Sequence, residues 1–284
     1  DSQNLFGGYE FSKKMADSGI QPIIGSSIFI KDENGVGEVV LLAQNEKGYQ
    51  NLSKLMSDSW IESDGSEKPL VDLTKLLDLS EGLILLTGGA KDGFIASIAI
   101  ASPNLAEQRL HLLSAKMEGR IYLELQRHDL QSENNIEQKL LSIADLLGLP
   151  LIATNDYHFD DEAMFEPQKI LTCIATNQRL ASMSRYNQTA HHRFKTAKEM
   201  YELFWDIPEA VLNSLIIAKR CAFMIQDRAP ILPEYIDSDG RTPEQVLQTQ
   251  AEDGLNQRLA ALKSTGKLQL IEDGGWHFSF LKKL

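Results

Sequence analysis

The chain has 284 residues, 40 acidic against 28 basic, for a net charge of −12, with 43% hydrophobic and 24% charged residues. That is the composition of an ordinary soluble globular chain of one large or two ordinary domains. No apolar run approaches the roughly 18 residues a membrane span needs, so no membrane partner is expected. The acidic balance argues against a surface that grips phosphate backbones by itself, since that draws on clustered Lys and Arg. Cys173 and Cys221 lack metal-type spacing and read as small buried hydrophobes in a reducing, cytoplasmic setting. The opening Asp1-Ser2-Gln3-Asn4 has no signal-peptide core and is expected of a start inside something longer.

Residues 4–18 read as a helix, with Leu5, Tyr9 and Phe11 or Ser12 on a buried stripe and Gly19 as its stop. Residues 22–30 read as a strand, Asn34-Gly35 as a hairpin turn, and 38–43 as the antiparallel partner. A helix over 46–60 carries Tyr49, Leu52, Leu55 and Met56, and 62–69 reads as a polar surface loop. Residues 82–87 form an almost entirely apolar strand, followed by helix-like segments through Met117. Residues 120–126 alternate. Ile121, Leu123 and Leu125 share one face; Tyr122, Glu124, Gln126 and, if the extension continues, His128 share the other.

The spacing then predicts a helix over 133–147, capped by Ser132, with Ile136, Leu140, Ile143 and Leu147 on one stripe and Gly148 as terminator. Leu151, Ile152 and Ala153 form a buried strand that empties into a loop at Asn155. Asp156 and His158 follow two residues apart, and in extended backbone they share a face, giving half of a metal site. The same spacing also fits a plain polar loop in which Asp160 or Asp161 caps a helix at about 161–175. Residues 177–195 are polar and irregular. His191 and His192 point apart in any regular backbone and read as surface residues. Helices over 197–204 and 209–221 follow, the second opened by Pro208. Residues 226–243 have linker composition, a last helix runs over 243–262, and the tail 267–284 shows no completed unit.

Buried strands alternating with helices indicate parallel βα units. No G-x-G-x-x-G or Walker loop follows any strand, so a barrel with chemistry at the C-terminal strand ends is favoured over a nucleotide-binding open sheet.

Six stretches, in order, carry a resemblance. They are Asp1–Gly7, Gln21–Gly25 (Gln-Pro-Ile-Ile-Gly), Leu41–Leu52, Tyr122–Gln126, Ala153–His158 and the Pro230–Pro233 linker. Together they resemble the N-terminal PHP (polymerase and histidinol phosphatase) domain of bacterial DNA polymerase III α subunits, over roughly residues 1–262. The resemblance implies an α/β fold, a distorted (β/α)7 TIM-like barrel that is N-terminally truncated by its first strand, followed by the start of a helical connecting segment. The PHP domain is expected over 1–234, a linker and helix leading toward the polymerase palm over 235–262, and an unassigned tail over 263–284.

Metal-binding members of that family hold several ions at the barrel mouth. At the positions such ligands would occupy, this chain has Ser2 for His, Ser27 for Glu and Gly89 for Cys or His, and keeps His128, Asp156 and His158. Catalytic zinc needs about three protein ligands plus an open position, and a multi-metal phosphoesterase needs bridging carboxylates. The resemblance therefore implies at most one weak divalent ion, Zn or Mn, and no catalytic residue in this stretch. It implies a replication role as a scaffold for the proofreading exonuclease subunit and other replisome subunits. DNA and Mg²⁺ would be met only through the parent polymerase's palm carboxylates. The alternative is a metal-dependent phosphoesterase, a pyrophosphatase or 3′–5′ exonuclease, acting from the barrel. A stand-alone small-molecule phosphatase is weaker, because Gln-Pro-Ile-Ile-Gly and the 230–262 continuation are polymerase-like.

Overall fold

The computed structural model describes residues 2–63, 68–180, 188–231, 237, 239–265, 268–270 and 276–278. The expected loop at 62–69, the irregular stretch at 177–195, the linker and the tail lie partly outside them. The chain forms two compact units, Asp1–Gln226 and Asp227–Leu284.

In the first unit, helix α1 (Gly8–Asp17) buries Gly8 and Ser12; of the expected stripe, Ser12 is buried and Leu5, ahead of the helix, packs against the core, but Tyr9 and Phe11 are not buried. Tyr9 and Phe11 stay largely open to solvent because the small side lies against a distant backbone segment, where Ile225 N donates to Ser12 Oγ at 3.0 Å. Strands β1 (Gly25–Asp32) and β2 (Gly35–Ala43) form the expected hairpin. Its two connecting residues are Glu33 and Asn34, one position earlier than the Asn34-Gly35 pair suggests. Asp32 Oδ1 accepts from Asn34 N at 2.8 Å and closes the turn locally. Helix α2 (Glu46–Glu62) is capped by Asn45, whose side chain accepts from Gly48 N at 3.0 Å. Gly48 is required where it stands, because a Cβ there would overlap the Gly82 carbonyl.

Strand β3 (Leu70–Asp72) and helix α3 (Leu73–Asp78) come next, then β4 (Leu83–Leu86), α4 (Ala96–Ala99), α5 (Pro103–Lys116) and β5 (Ile121–Leu125). Three residues are too few to show a period, which is why β3, just beyond the expected loop at 62–69, was not anticipated. Helix α6 (Gln131–Leu147) begins earlier than predicted and ends at Gly148 with φ +62°. Ser132 lies inside its first turn and is not the cap; the Glu133 carboxylate serves the entering backbone instead. Strand β6 (Leu151–Ala153) and helices α7 (Phe165–Ala175), α8 (Ala197–Leu203) and α9 (Pro208–Arg220) complete the unit.

The strands form one mixed sheet in the order β3-β1-β2-β4-β5-β6. β2 is antiparallel to both neighbours, while β1/β3, β4/β5 and β5/β6 are parallel. With helices packed on it, this is the barrel-like α/β arrangement expected of a PHP domain. One face carries the large core, where Ile28, Ile30, Val39, Leu41, Leu85, Leu123 and Leu125 meet Leu52, Leu55, Leu110 and Ile136 from the helices. Each such side chain contributes about 1.5–3 kcal/mol on burial. The other face holds a small cluster of Ile84, Leu86, Tyr122 and Ile152, covered by Ile217 and Cys221. Beyond that cluster, Ser27, Glu38 and Glu124 bring polar groups to a cavity. Both cysteines are buried, as expected. Arg109, 3% exposed, clamps α5 to the hairpin by bonding Asp32 at 2.6 and 2.7 Å and the Phe94 carbonyl at 2.6 Å.

In the second unit, α10 (Pro243–Ser264) is capped by Thr242 and Gln245 in a reciprocal box. The tail is not without structure: β7 (Leu268–Leu270) pairs antiparallel with β8 (Trp276–Phe278). No described helix is long and apolar enough to cross a membrane.

Candidate functional site

The parallel strands β4, β5 and β6 end at one side of the sheet and open on a cavity of about 520 Å³. Its walls come from the second face of β1 and β2 (Ser27, Glu38), the loop after β4 (Gly88 to Asp92), β5 and its exit (Glu124, Gln126), and the exit of β6 (Thr154 to His158). Period-2 alternation along β5 sends Leu123 and Leu125 to the core and Glu124 to the cavity side, as the sequence pattern predicts.

Glu124 is buried, with Oε2 accepting from Gly88 N at 3.1 Å and Oε1 accepting from Thr154 Oγ1 at 2.5 Å and Gln126 Nε2 at 3.0 Å. Burial pushes its carboxyl above the usual range against these donors. Glu38 is also held high by burial, reinforced by the negative charges of Asp156 and Asp92, while the Ser27 hydroxyl bonds it and opposes the shift. Asp156 and His158 do converge, with His158 Nε2 3.3 Å from Asp156 Oδ2. The pairing lowers the Asp156 carboxyl and raises the His158 imidazole.

His128 stands behind the wall, fully buried, in backbone that has already left the strand. Its Nδ1 lies 2.7 Å from Glu133 Oε1 and its Nε2 3.1 Å from Asn155 Oδ1. The Asn155 amide is oriented by its own donation to the Arg193 carbonyl at 2.9 Å, so its oxygen must face the ring. Both nitrogens of His128 are therefore occupied. His192 stacks on His128 with ring centroids 4.1 Å apart and is buried, not a surface residue. Burial and the neighbouring His128 ring push its imidazole down to about 4. His191 is exposed, so the adjacent pair does point apart, one in and one out.

The remaining ligand-type positions fall around the same opening. Ser27 and Ser2 face each other with hydroxyls 3.1 Å apart, and Gln3 N donates to Ser27 O at 2.9 Å. Gly89 lines the cavity, and a Cβ there would overlap Gln126 Oε1. Ser27, Gly89, Asp156 and His158 thus share one cavity, Ser2 touches its edge, and His128 is sealed away from it.

Residues 1–128 match the PHP domain family. The chain is 39% identical over 270 residues to a DNA polymerase III subunit alpha of Caulobacter vibrioides, an alignment covering 92% of this chain and 24% of that one. Residues 1–128 carry a PHP domain, and the chain is similar over nine-tenths of its length to DNA polymerase III α subunits. Similarity to the subunits from Rickettsia bellii (34% over 261 residues, covering 91% of this chain and 22% of that one) and Escherichia coli K12 (32% over 266 residues, 92% and 23%) has the same extent. The chain thus spans about a quarter of the length of the curated relatives it matches. Among solved structures, a protein from Bifidobacterium adolescentis described as a metal-dependent phosphoesterase aligns with a TM-score of 0.37 at 13% identity, over 56% of this chain and 75% of that one.

The residues present do not fit the metal cluster that a PHP domain can carry. His128 has no free nitrogen, Ser27 and Ser2 are hydroxyls bonded to each other, and any side chain at Gly89 would displace Gln126. Among the described residues no group of three or more His, Cys, Asp or Glu could hold a metal ion. Sequence reasoning missed Glu38, Glu124, Glu133, Asn155 and His192. Glu124 was legible from the alternation of β5, and Glu133 from its place at the third position of a helix, where a carboxylate reaches back to free N–H groups. Nothing local marks Glu38 as the neighbour of Ser27.

Proposed function

We propose that this chain serves DNA replication as a non-catalytic PHP domain, a folded platform that binds the proofreading exonuclease subunit of a replicative polymerase. One observation carries the reading: the histidine that a metal would need is locked into the protein's own hydrogen bonds, between Glu133 and Asn155. The acidic charge supports a role among proteins, not directly on nucleic acid. Contact with DNA and Mg²⁺-dependent chemistry belong, on this reading, to the rest of a polymerase. The test is calorimetric titration of the chain with the purified exonuclease subunit. Saturable binding at micromolar or tighter affinity is expected, unchanged by EDTA. Absence of saturable binding, or binding that EDTA abolishes, would count against the proposal.

A second reading, a metal-dependent phosphoesterase (pyrophosphatase or 3′–5′ exonuclease), is favoured by Glu38. It reaches Ser27 from the neighbouring strand and shares the cavity with Asp156 and His158. Release of phosphate or 3′ nucleotides that needs Mn²⁺ or Zn²⁺ and disappears in Asp156→Ala would establish it.

A further inference from the structure

In a metal site, a ligating histidine has one ring nitrogen on the metal and donates the other to a carboxylate that fixes its orientation. His128 keeps the second half of that arrangement, with Nδ1 on Glu133 at 2.7 Å. On the first side, Nε2 meets the Asn155 amide oxygen, and that oxygen also accepts from Lys195 Nζ at 2.8 Å. Lys195 donates as well to the His191 carbonyl. An ammonium is therefore held one hydrogen bond beyond the histidine.

The segment that brings Lys195 there is stitched to the strand ends along its length. Thr189 Oγ1 donates to the His128 carbonyl at 2.6 Å, His158 N to the His192 carbonyl at 2.9 Å, Asn155 Nδ2 to the Arg193 carbonyl at 2.9 Å, and Phe194 N to the Phe159 carbonyl at 2.8 Å. An isolated parallel bridge pairs Phe159 with Arg193, and His192 stacks on His128.

We infer that the Lys195 ammonium, held on Asn155, takes the structural place of a metal ion at this barrel mouth, joining residues 189–195 to the ends of β5 and β6. The inference rests on the misfit between these residues and a metal, not on any partner. It is tested on the free chain, so its outcome is separate from the outcome of the exonuclease titration.

The experiment compares wild type, Lys195→Met and Lys195→Arg by thermal unfolding, with EDTA and with added Zn²⁺ or Mn²⁺, and by hydrogen exchange of single amides. The wild-type midpoint is expected to move by less than about 1 °C with chelator or metal. Lys195→Met is expected to lower it by about 3–6 °C and to speed exchange at the His158 and Phe194 amides about tenfold or more. The β1 and β2 amides should stay as protected as in wild type, neither metal should rescue the variant, and Lys195→Arg should retain most of the protection. A wild-type chain that loses stability in EDTA, a Lys195→Met chain restored by metal, or unchanged exchange at His158 and Phe194 would each overturn the inference. Should Lys195→Met not fold, the chelator arm on wild type and the exchange of Lys195→Arg still decide it.

Discussion

Glu133 offers the sharpest test of whether the polar centre is structural. Its carboxylate is 4% exposed and accepts from three N–H groups: His128 Nδ1 at 2.7 Å, His128 N at 2.6 Å and Leu130 N at 3.3 Å. It also sits in the first turn of α6, where negative charge is favoured. Glu133→Gln keeps the shape. The amide oxygen can serve the two backbone donors, and the amide NH₂ can face His128 once Nδ1 of the ring becomes an acceptor. What is lost is charge assistance, about 1–2 kcal/mol. Glu133→Ala leaves all three donors without an acceptor, and at about 1–3 kcal/mol each that costs on the order of 5 kcal/mol. At a few degrees per kcal/mol, thermal unfolding at pH 7 should fall by about 3–6 °C for Gln and by more than about 10 °C for Ala. Burial pushes the Glu133 carboxyl up, but the bonds from the His128 side chain and backbone outweigh it, leaving it below its ordinary value of 4.5. A depressed carboxyl contributes stability that is complete above the unfolded value and is lost as pH falls through the folded one. The gap between wild type and Glu133→Gln should therefore hold at pH 7 and narrow on acidification below about pH 4.5. Equal losses for Gln and Ala, or a gap constant from pH 7 to 3, would refute the reasoning.

Three further outcomes follow from the same geometry. Arg109→Met, which strands Asp32 beside the core, should cost about 3–5 kcal/mol in urea unfolding, and Asp32→Asn in the same chain should recover part of it. Gly48→Ala, which forces a methyl against the Gly82 carbonyl, should cost about 2 kcal/mol or more and lower the melting midpoint. His158→Ala breaks only a half-exposed pair at 3.3 Å, so unfolding should shift by less than about 1 kcal/mol, and calorimetry should show unchanged affinity for the exonuclease subunit.

Much of the fold was legible because it follows local periods. The alternation along 120–126 correctly separated core from cavity, Gly148 ended α6, and the hairpin fell within one residue of its place. What was not legible is set by distance along the chain. Asn155 looks like a turn residue, and only the fold places Lys195, forty residues on, against its side chain. The His191-His192 pair shows a subtler limit. Adjacent side chains do point apart, but that guarantees two different environments, not two exposed ones, and His192 took the buried one. On α1 the spacing left Phe11 and Ser12 as alternatives, and the contact surface available there accommodates Gly8 and Ser12, so Ser12 is the buried one and Tyr9 and Phe11 stay exposed.

The most direct test is the metal content of the chain after equilibration with Zn²⁺ and Mn²⁺ and removal of excess, measured by elemental analysis beside a phosphoesterase assay. A His128 ring occupied on both nitrogens by the protein's own groups predicts far less than one ion per chain and no metal-dependent hydrolysis. One or more ions per chain, with hydrolysis lost in Asp156→Ala, would contradict the account and return the cavity to catalysis.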